Sequence, residues 1–420
     1  MPPSIPTSFF PVFSSAMLLG REGITTPGQA PTAFTSIPVK ALTTSPKITW
    51  LKDQNLRGSN VETFGQAQGG RYAEITTPQS LAYADTIGHP LFAMCGDYTV
   101  TGAAASPNST LNGGVAAGAT SLTVASGTGF AASQWIQIDT LANAEIVQVL
   151  SVASNVITLA TNTPTRFSHL TAAPVTNTQA PYVHLFSGIN PGSSTGNASA
   201  QPPTYTVLHR TGLPGAGSPG FSADQYLYGH MTDLKLSAKA TDWLLWDSKI
   251  TALSRSNPAA NYAPAFSTVT GWPAWRGSIT LNAGAVYNVS DMTIAMSRKP
   301  DIIWTSDGQQ DPYAIGAGPF SAMFTIDYDA VSDESALNYA LNNTQPALVY
   351  TISNGLSGAS QLSLSIAAAL AAHETADLAA QRTLWGYKTT GELVSSTSDA
   401  GNSGGYSPFQ ATLTNAVPSY

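Results

Sequence analysis

Met231-Thr232-Asp233-Leu234-Lys235-Leu236-Ser237-Ala238-Lys239 alternates almost without a break. Leu234, Leu236 and Ala238 fall on one side of an extended chain, and Asp233, Lys235 and Lys239 fall on the other. A period of two belongs to a strand with one buried face and one wet face. The same habit recurs at 279–281, at 292–296 (Met292, Ile294 and Met296 on one side) and at 322–328. Shorter apolar runs at 48–51, 205–209, 348–352 and 362–366 read as strands too, so the chain is expected to be mainly β.

Two helices are expected among these strands. The first, over 79–92, follows Pro78 and carries Leu81, Ala84 and Ile87 at helical spacing. The second, over 333–341, opens on Asp333 and Glu334, where carboxylates suit the positive end of a helix. The Gly/Gln-rich stretch 65–70 reads as an exposed loop beyond a turn at 53–59. Residues 104–174 hold four short β-runs, at 121–124, 135–138, 145–149 and 156–159, between turn-forming flanks. That pattern fits a compact β-module spliced into a host loop.

The expected organisation is therefore an extended N-terminal arm at 1–47, rich in proline, and a first β domain built from 48–103 and 175–285. The inserted module occupies 104–174, and a second β domain covers 286–420. Both β domains follow the order strand, Gly/Gln loop, helix, strands, which suggests a duplication. With the insertion set aside, the remainder divides into two units of ordinary domain size.

Composition narrows the function classes. Of 420 residues, 43% are hydrophobic, enough to build cores, but only 10% are charged, well under the roughly 25% of a typical soluble protein. A surface of small polar residues is cheap to desolvate against another protein, and charged residues are depleted at interface cores. One reading is a chain whose surface is covered in an assembly; another is an extracellular β-protein. The net charge of −7 and the lack of any basic run argue against wrapping nucleic acid through its phosphates. Cys95 is the sole cysteine, which excludes an internal disulfide and a Cys-based zinc site; its apolar surroundings suggest a buried thiol. The apolar segment 9–13 carries a proline and no basic flank, so it is not read as a signal peptide. No run reaches the roughly 18 apolar residues of a membrane helix. Synthesis in a cytoplasm is expected.

No constellation for catalysis emerges. The six histidines (89, 169, 184, 209, 230, 373) include no metalloprotease spacing, and there is no nucleophile elbow or phosphate-binding Gly loop ending in Lys. His373-Glu374 reads as a solvated surface pair. Asp327-Tyr328-Asp329 with Asp333-Glu334 is the densest acidic group. It could ligate a hard cation such as calcium, although the order of an EF-hand loop is absent; the alternative is a strand's outer face followed by a helix start. Asp301, Asp307 and Asp311 read as turn chemistry. No catalytic, cofactor or metal residue is assigned, and no cofactor is expected. Trp243, Trp246, Trp272 and Trp275 could form platforms for sugar in a secreted β-sandwich, or could pack in a core or interface.

Several stretches resemble the tail tube (major tail) proteins of long-tailed bacteriophages. They are Leu19-Gly20-Arg21-Glu22-Gly23-Ile24-Thr25-Thr26-Pro27-Gly28, Asp53-Gln54-Asn55-Leu56-Arg57-Gly58-Ser59 and Ala84-Asp85-Thr86-Ile87-Gly88-His89-Pro90-Leu91. Tyr205-Thr206-Val207, Met231-Thr232-Asp233-Leu234, Ser306-Asp307-Gly308-Gln309-Gln310-Asp311-Pro312-Tyr313 and Leu413-Thr414-Asn415-Ala416 also fit. Residues 117–169 resemble a small β-insert of phage tail proteins. The resemblance implies a β-sandwich with a flanking helix whose hairpins join those of neighbours. It implies rings of six copies, or of three duplicated copies with pseudo-sixfold symmetry, stacked into a virion tube that carries DNA at ejection. Tape measure and tail terminator proteins are the implied further partners, with no membrane and no enzyme activity. A sugar-binding surface protein and a phage decoration protein are the alternatives.

Overall fold

The computed structural model describes residues 15–55, 60–101, 104–140, 143–178, 182–190, 201–210, 223–258, 262–266, 269–286, 288–329, 338–339, 341–354, 363–368, 370–381, 384–395, 407–415 and 417–420. For 104–108, 177–178, 363–368, 370–381 and 384–387 only the backbone is described. The chain begins with strands β1 (Ala16–Arg21) and β2 (Thr35–Ile37), then a long hairpin of β3 (Thr43–Asp53) and β4 (Gly65–Leu81). Helix α1 (Gly88–Cys95) and β5 (Gly96–Thr101) follow. Next come β6 (Ala104–Thr110), β7 (Ser121–Thr123), β8 (Trp135–Ile138), β9 (Glu145–Ala153), β10 (Val156–Leu159) and β11 (Pro174–Thr178). The chain then runs through β12 (Tyr182–Gly188), β13 (Tyr205–Arg210), β14 (Ala223–Lys239) and β15 (Leu244–Ala252). After β16 (Ser278–Leu281) and β17 (Gly284–Val286) comes a second long hairpin, β18 (Val289–Ile303) and β19 (Ala314–Asp329). It ends with β20 (Leu348–Ser353), β21 (Ser363–Ala368), β22 (Leu370–Gln381), β23 (Leu384–Val394) and β24 (Gln410–Asn415).

These strands form three sheets. The longest runs β3-β4-β15-β14-β18-β19-β23-β22, and the first half of β14 also carries β13, β1 and β2. A second sheet has the order β17-β16-β20-β21-β24-β12-β5. The strands between 104 and 178 form the third, β6-β11-β8-β9-β10-β7, around their own apolar cluster of Leu122, Val124, Ile136, Ile138, Val147 and neighbours. The main cluster is shared by both larger sheets and α1: Leu91, Phe92 and Met94 of the helix meet Leu234, Leu236, Ile294, Phe324 and Ile326 on one side and Phe186, Tyr350 and Leu413 on the other. The mainly β expectation holds. The helix, expected to flank a sandwich, is nearly all buried.

Three expectations need correction, and a fourth falls mostly outside the described residues. Within 1–47, expected as an extended arm, Ala16–Arg21 is a buried strand paired with both β2 and β13; prolines flank it without interrupting it. Residues 65–70, expected as a loop, begin β4 and pair with β3 through Asp53↔Gly65, Lys52↔Gln66 and Trp50↔Gln68, because a distant ladder overrides Gly/Gln composition. The helix expected over 79–92 starts only at Gly88. Pro78 and Gln79 (φ 44°) form a bulge that keeps Ser80 and Leu81 paired with Trp246 and Leu245 of β15, so the strand continues past the proline. The helix then ends at Gly96, whose φ of 86° lets its N–H reach the Phe92 carbonyl. Of the helix expected over 333–341, residues 338–339 and 341 are helical and the rest lies outside the described residues.

Candidate functional site: the polar face of the long sheet

In an antiparallel ladder, directly paired residues share a face. One face of the long sheet is apolar: Ala73 and Ile75, Trp246 and Ile250, Leu234 and Leu236, Met292, Ile294 and Met296, and Phe324 and Ile326 are all buried. The opposite face is exposed or half-buried and carries Asp233, Lys235, Ser237 and Lys239 on β14. Asp291, Thr293, Ala295 and Ser297 continue it on β18, then Ser321, Met323, Thr325 and Asp327 on β19. The alternation seen in 231–239 thus extends across the sheet.

The register places unlike charges opposite one another. Lys249 faces Asp233 and Lys235 faces Asp247. Lys239 faces Asp291 across the β14–β18 junction, and Lys388 faces Asp327. At the β3–β4 edge Glu74 holds two lysines, with Lys47 at 3.2 Å and Lys249 at 3.1 Å. Burial alone would raise the Glu74 pKa, but these lysines hold it below the ordinary carboxylate value. Asp291 moves the other way: burial raises its pKa, the Asp327 charge adds to that, and Lys239, Lys235 and Lys388 oppose it. Five of the chain's eight lysines stand on this face, each matched by a carboxylate.

The order of the eight strands repeats. In chain sequence the first four are β3, β4, β14, β15 and the last four are β18, β19, β22, β23. In space both sets run first, second, fourth, third. A rung across the first set reads Thr43, Thr76, Lys249, Asp233; one across the second reads Asp291, Asp327, Lys388, Asp377. The sequence carries a trace of this that pattern reading missed. Leu245-Trp246-Asp247-Ser248-Lys249-Ile250-Thr251 matches Leu384-Trp385-Gly386-Tyr387-Lys388-Thr389-Thr390 at four places, and Asp233-Leu234 matches Asp377-Leu378. Low overall identity between the halves hid it until the rungs set the frame.

The two long hairpins meet at their tips. Arg71 N–H donates to the Gln310 carbonyl at 2.8 Å, and the Arg71 side chain reaches Asp311 at 3.4 Å. The Trp304 ring lies on Gly70, where a Cβ would come within 2.4 Å of it. Trp50, Leu51, Ile303, Trp304 and Tyr313 remain exposed around these tips.

The residues singled out from sequence are not brought together into a reactive centre. Asp327 stands on the polar face opposite Lys388 and Asp329 opposite Gly386, while Asp333 lies outside the described residues. Among the described residues no group of three or more His, Cys, Asp or Glu is placed to hold a metal ion. Asp307 accepts from Gln309 N–H and Thr305 Oγ1, both at 3.0 Å, as turn chemistry requires. Trp246 and Trp272 are core residues, with Trp246 donating to the Leu81 carbonyl, so the four-tryptophan sugar platform is broken; Trp243 and Trp275 remain exposed. The side chains of His373 and Glu374 are not described. Cys95 is buried, as expected. No helix among the described residues is long and apolar enough to cross a membrane.

A long sheet with one covered face, one polar face and repeated hairpins, with no reactive centre gathered among the described residues, has the form of a structural β-protein. A family model described as phage tail tube protein matches residues 13–407. The chain belongs to that family, and so is a structural component of the bacteriophage virion that forms part of the tail tube. No curated protein matches it.

Proposed function

We propose that copies of this chain close into rings of three with pseudo-sixfold symmetry, and that the rings stack into a tube whose lumen is lined by the polar face of the long sheet. The repeated strand order is the observation that carries this reading. Each chain supplies two equivalent four-strand units, so three chains supply about 24 strands to one barrel. Closure also removes the two open edges that a sheet must otherwise protect. The second sheet and α1 cover the apolar face, which leaves the polar face for the inside. Exposed aromatic residues at the hairpin tips offer apolar surface for the next ring.

DNA passes along this lumen without being held. A phosphate backbone gains affinity by releasing counterions to free cations, and each lysine of the polar face is matched by a carboxylate. The chain carries no catalytic activity, and tape measure and terminator proteins meet the tube at its inside and its end. The inserted module, taken as 104–174, lies on the outer side, and the two halves descend from one duplicated unit. Negative-stain microscopy of the purified chain at high concentration tests the central reading. Stacked rings or tubes roughly 100 Å wide, the scale of a barrel of about 24 strands with an outer layer, are expected. A dispersed monomer at all concentrations overturns it.

A further inference from the structure

We propose that ring closure joins β22 of one copy antiparallel to β3 of the next, in the register that β14 and β18 already use inside the chain. This rests on the ring reading above and adds which edges meet and where. Among the described residues, β3 pairs only with β4 and β22 only with β23, so these are the free edges of the eight-strand run. They correspond in length, at 11 and 12 residues. Edge β3 carries Pro46, Lys47 and Lys52, the residues that discourage indiscriminate pairing of an open strand.

The internal junction shows what the edges do when joined. There β14, third in the first unit, pairs antiparallel with β18, first in the second. The remaining third strand is β22 and the remaining first strand is β3, so a second copy is the one occupant that reproduces this junction at both edges. The rungs carry the register across. Asp233 pairs with Ser297, which lies six residues beyond Asp291, the β18 member of the second rung. Applying that offset to Asp377 and Thr43 sets Asp377 opposite Thr49, Ala379 opposite Lys47 and Gln381 opposite Ser45. The order of partners along the barrel is then the same at every junction, three covalently continuous and three between chains.

Disulfide trapping in the full chain tests this. Cys95 will not compete, because burial pushes its thiol pKa up to about 12. A Ser45→Cys, Gln381→Cys double variant should form, on mild oxidation of assembled protein, a covalent ladder that ends at three chains, and neither single variant should. A Lys47→Cys, Ala379→Cys pair, chosen in case the first fails to fold, should behave alike. A Lys52→Cys, Gln381→Cys pair lies off the register and should crosslink at least tenfold less. Tubes in the micrographs with no bond at the two in-register pairs, or with the off-register pair bonding best, overturn the register while leaving the ring reading intact. Absence of tubes from the unmodified chain overturns both.

Discussion

Glu22 sits where four donors converge: Gly28 N–H at 2.6 Å, the Thr204 and Thr206 hydroxyls at 2.6 and 2.8 Å, and Tyr228 N–H at 2.8 Å. Tyr228 has a φ of 56°, at the point where β14 stops pairing with β13 and turns toward β15 and β18. The carboxylate therefore holds the bend that lets one strand serve two parts of the sheet. Replacing it with alanine leaves buried donors unpaired, and Glu22→Ala is expected to cost on the order of 3 kcal/mol, read as a fall in melting temperature. Histidines give the two cores opposite pH responses. Burial holds the pKa of His89, His184 and His230 down at about 4, so each is neutral in the fold. Their contribution is present above about pH 6.5 and is lost as pH falls toward 4. His169 in the inserted module is also buried, which by itself lowers its pKa. Its bonds to Glu145 at 2.6 Å and Asp139 at 3.2 Å outweigh that and raise it. Its contribution is full below about 6.5 and is lost as pH rises through the raised value. Hydrogen exchange followed by segment at pH 5 and pH 8 should show the main core less protected at pH 5 and the module more protected there. Parallel changes in both would contradict this assignment.

At the scale of elements, the ends of the inserted module matter most. β5 stops at Thr101 and β12 resumes at Tyr182, and these strands are antiparallel neighbours with Thr101 opposite Val183. A short loop can bridge that gap, so replacing 104–178 by Asn-Gly, with 102–103 and 179–182 kept, should leave the proposed ring formation intact; loss of rings in micrographs of that variant would show the module to be part of the assembly. Arg298 ties the second hairpin to the first unit's helix: its guanidinium donates to the Met94, Cys95 and Gly318 carbonyls at 2.8 to 3.2 Å. Two of these are carbonyls at the end of α1, where the helix itself supplies no donor and a cation also suits the helix dipole; Ile189 N–H shares the Cys95 carbonyl at 2.9 Å. Elements whose pattern is self-contained were readable from sequence. Those specified by distant partners were not. Met231 to Lys239 shows both faces of its strand in nine residues, whereas 65–70 is a strand only because β3 lies beside it, and Pro78 marks a bulge only because β15 continues past it.

For the whole molecule, sequence reading anticipated a charge-poor surface unsuited to phosphates, and the fold alters the physical reason. Most lysines are gathered on one face, and it is their register with carboxylates that neutralises them. Asp233→Asn, Asp247→Asn, Asp291→Asn and Asp327→Asn combined should keep the fold, because these side chains are exposed or half-buried, but leave Lys235, Lys239, Lys249 and Lys388 with fewer or no opposing charges. That variant is expected to retain duplex DNA at low salt at least tenfold better than the parent and to release it as salt rises; equal retention by both would dismiss charge matching as what keeps this face from holding phosphates. The family and the β architecture were legible in short motifs and strand periodicity. The polar face was legible only strand by strand, since no local pattern says which lysine will stand opposite which aspartate.

The covalent link between the two units has a kinetic meaning as well. Because β14 and β18 belong to one chain, their junction forms at an effective concentration set by the tether 240–288 between them, and independently of how much protein the cell has made. In the proposed ring, single units would need five encounters between separate molecules before closure, and this chain would need two. Each encounter avoided removes one step that slows with dilution, so the threshold concentration for assembly falls and fewer incomplete arcs with open sheet edges accumulate along the way.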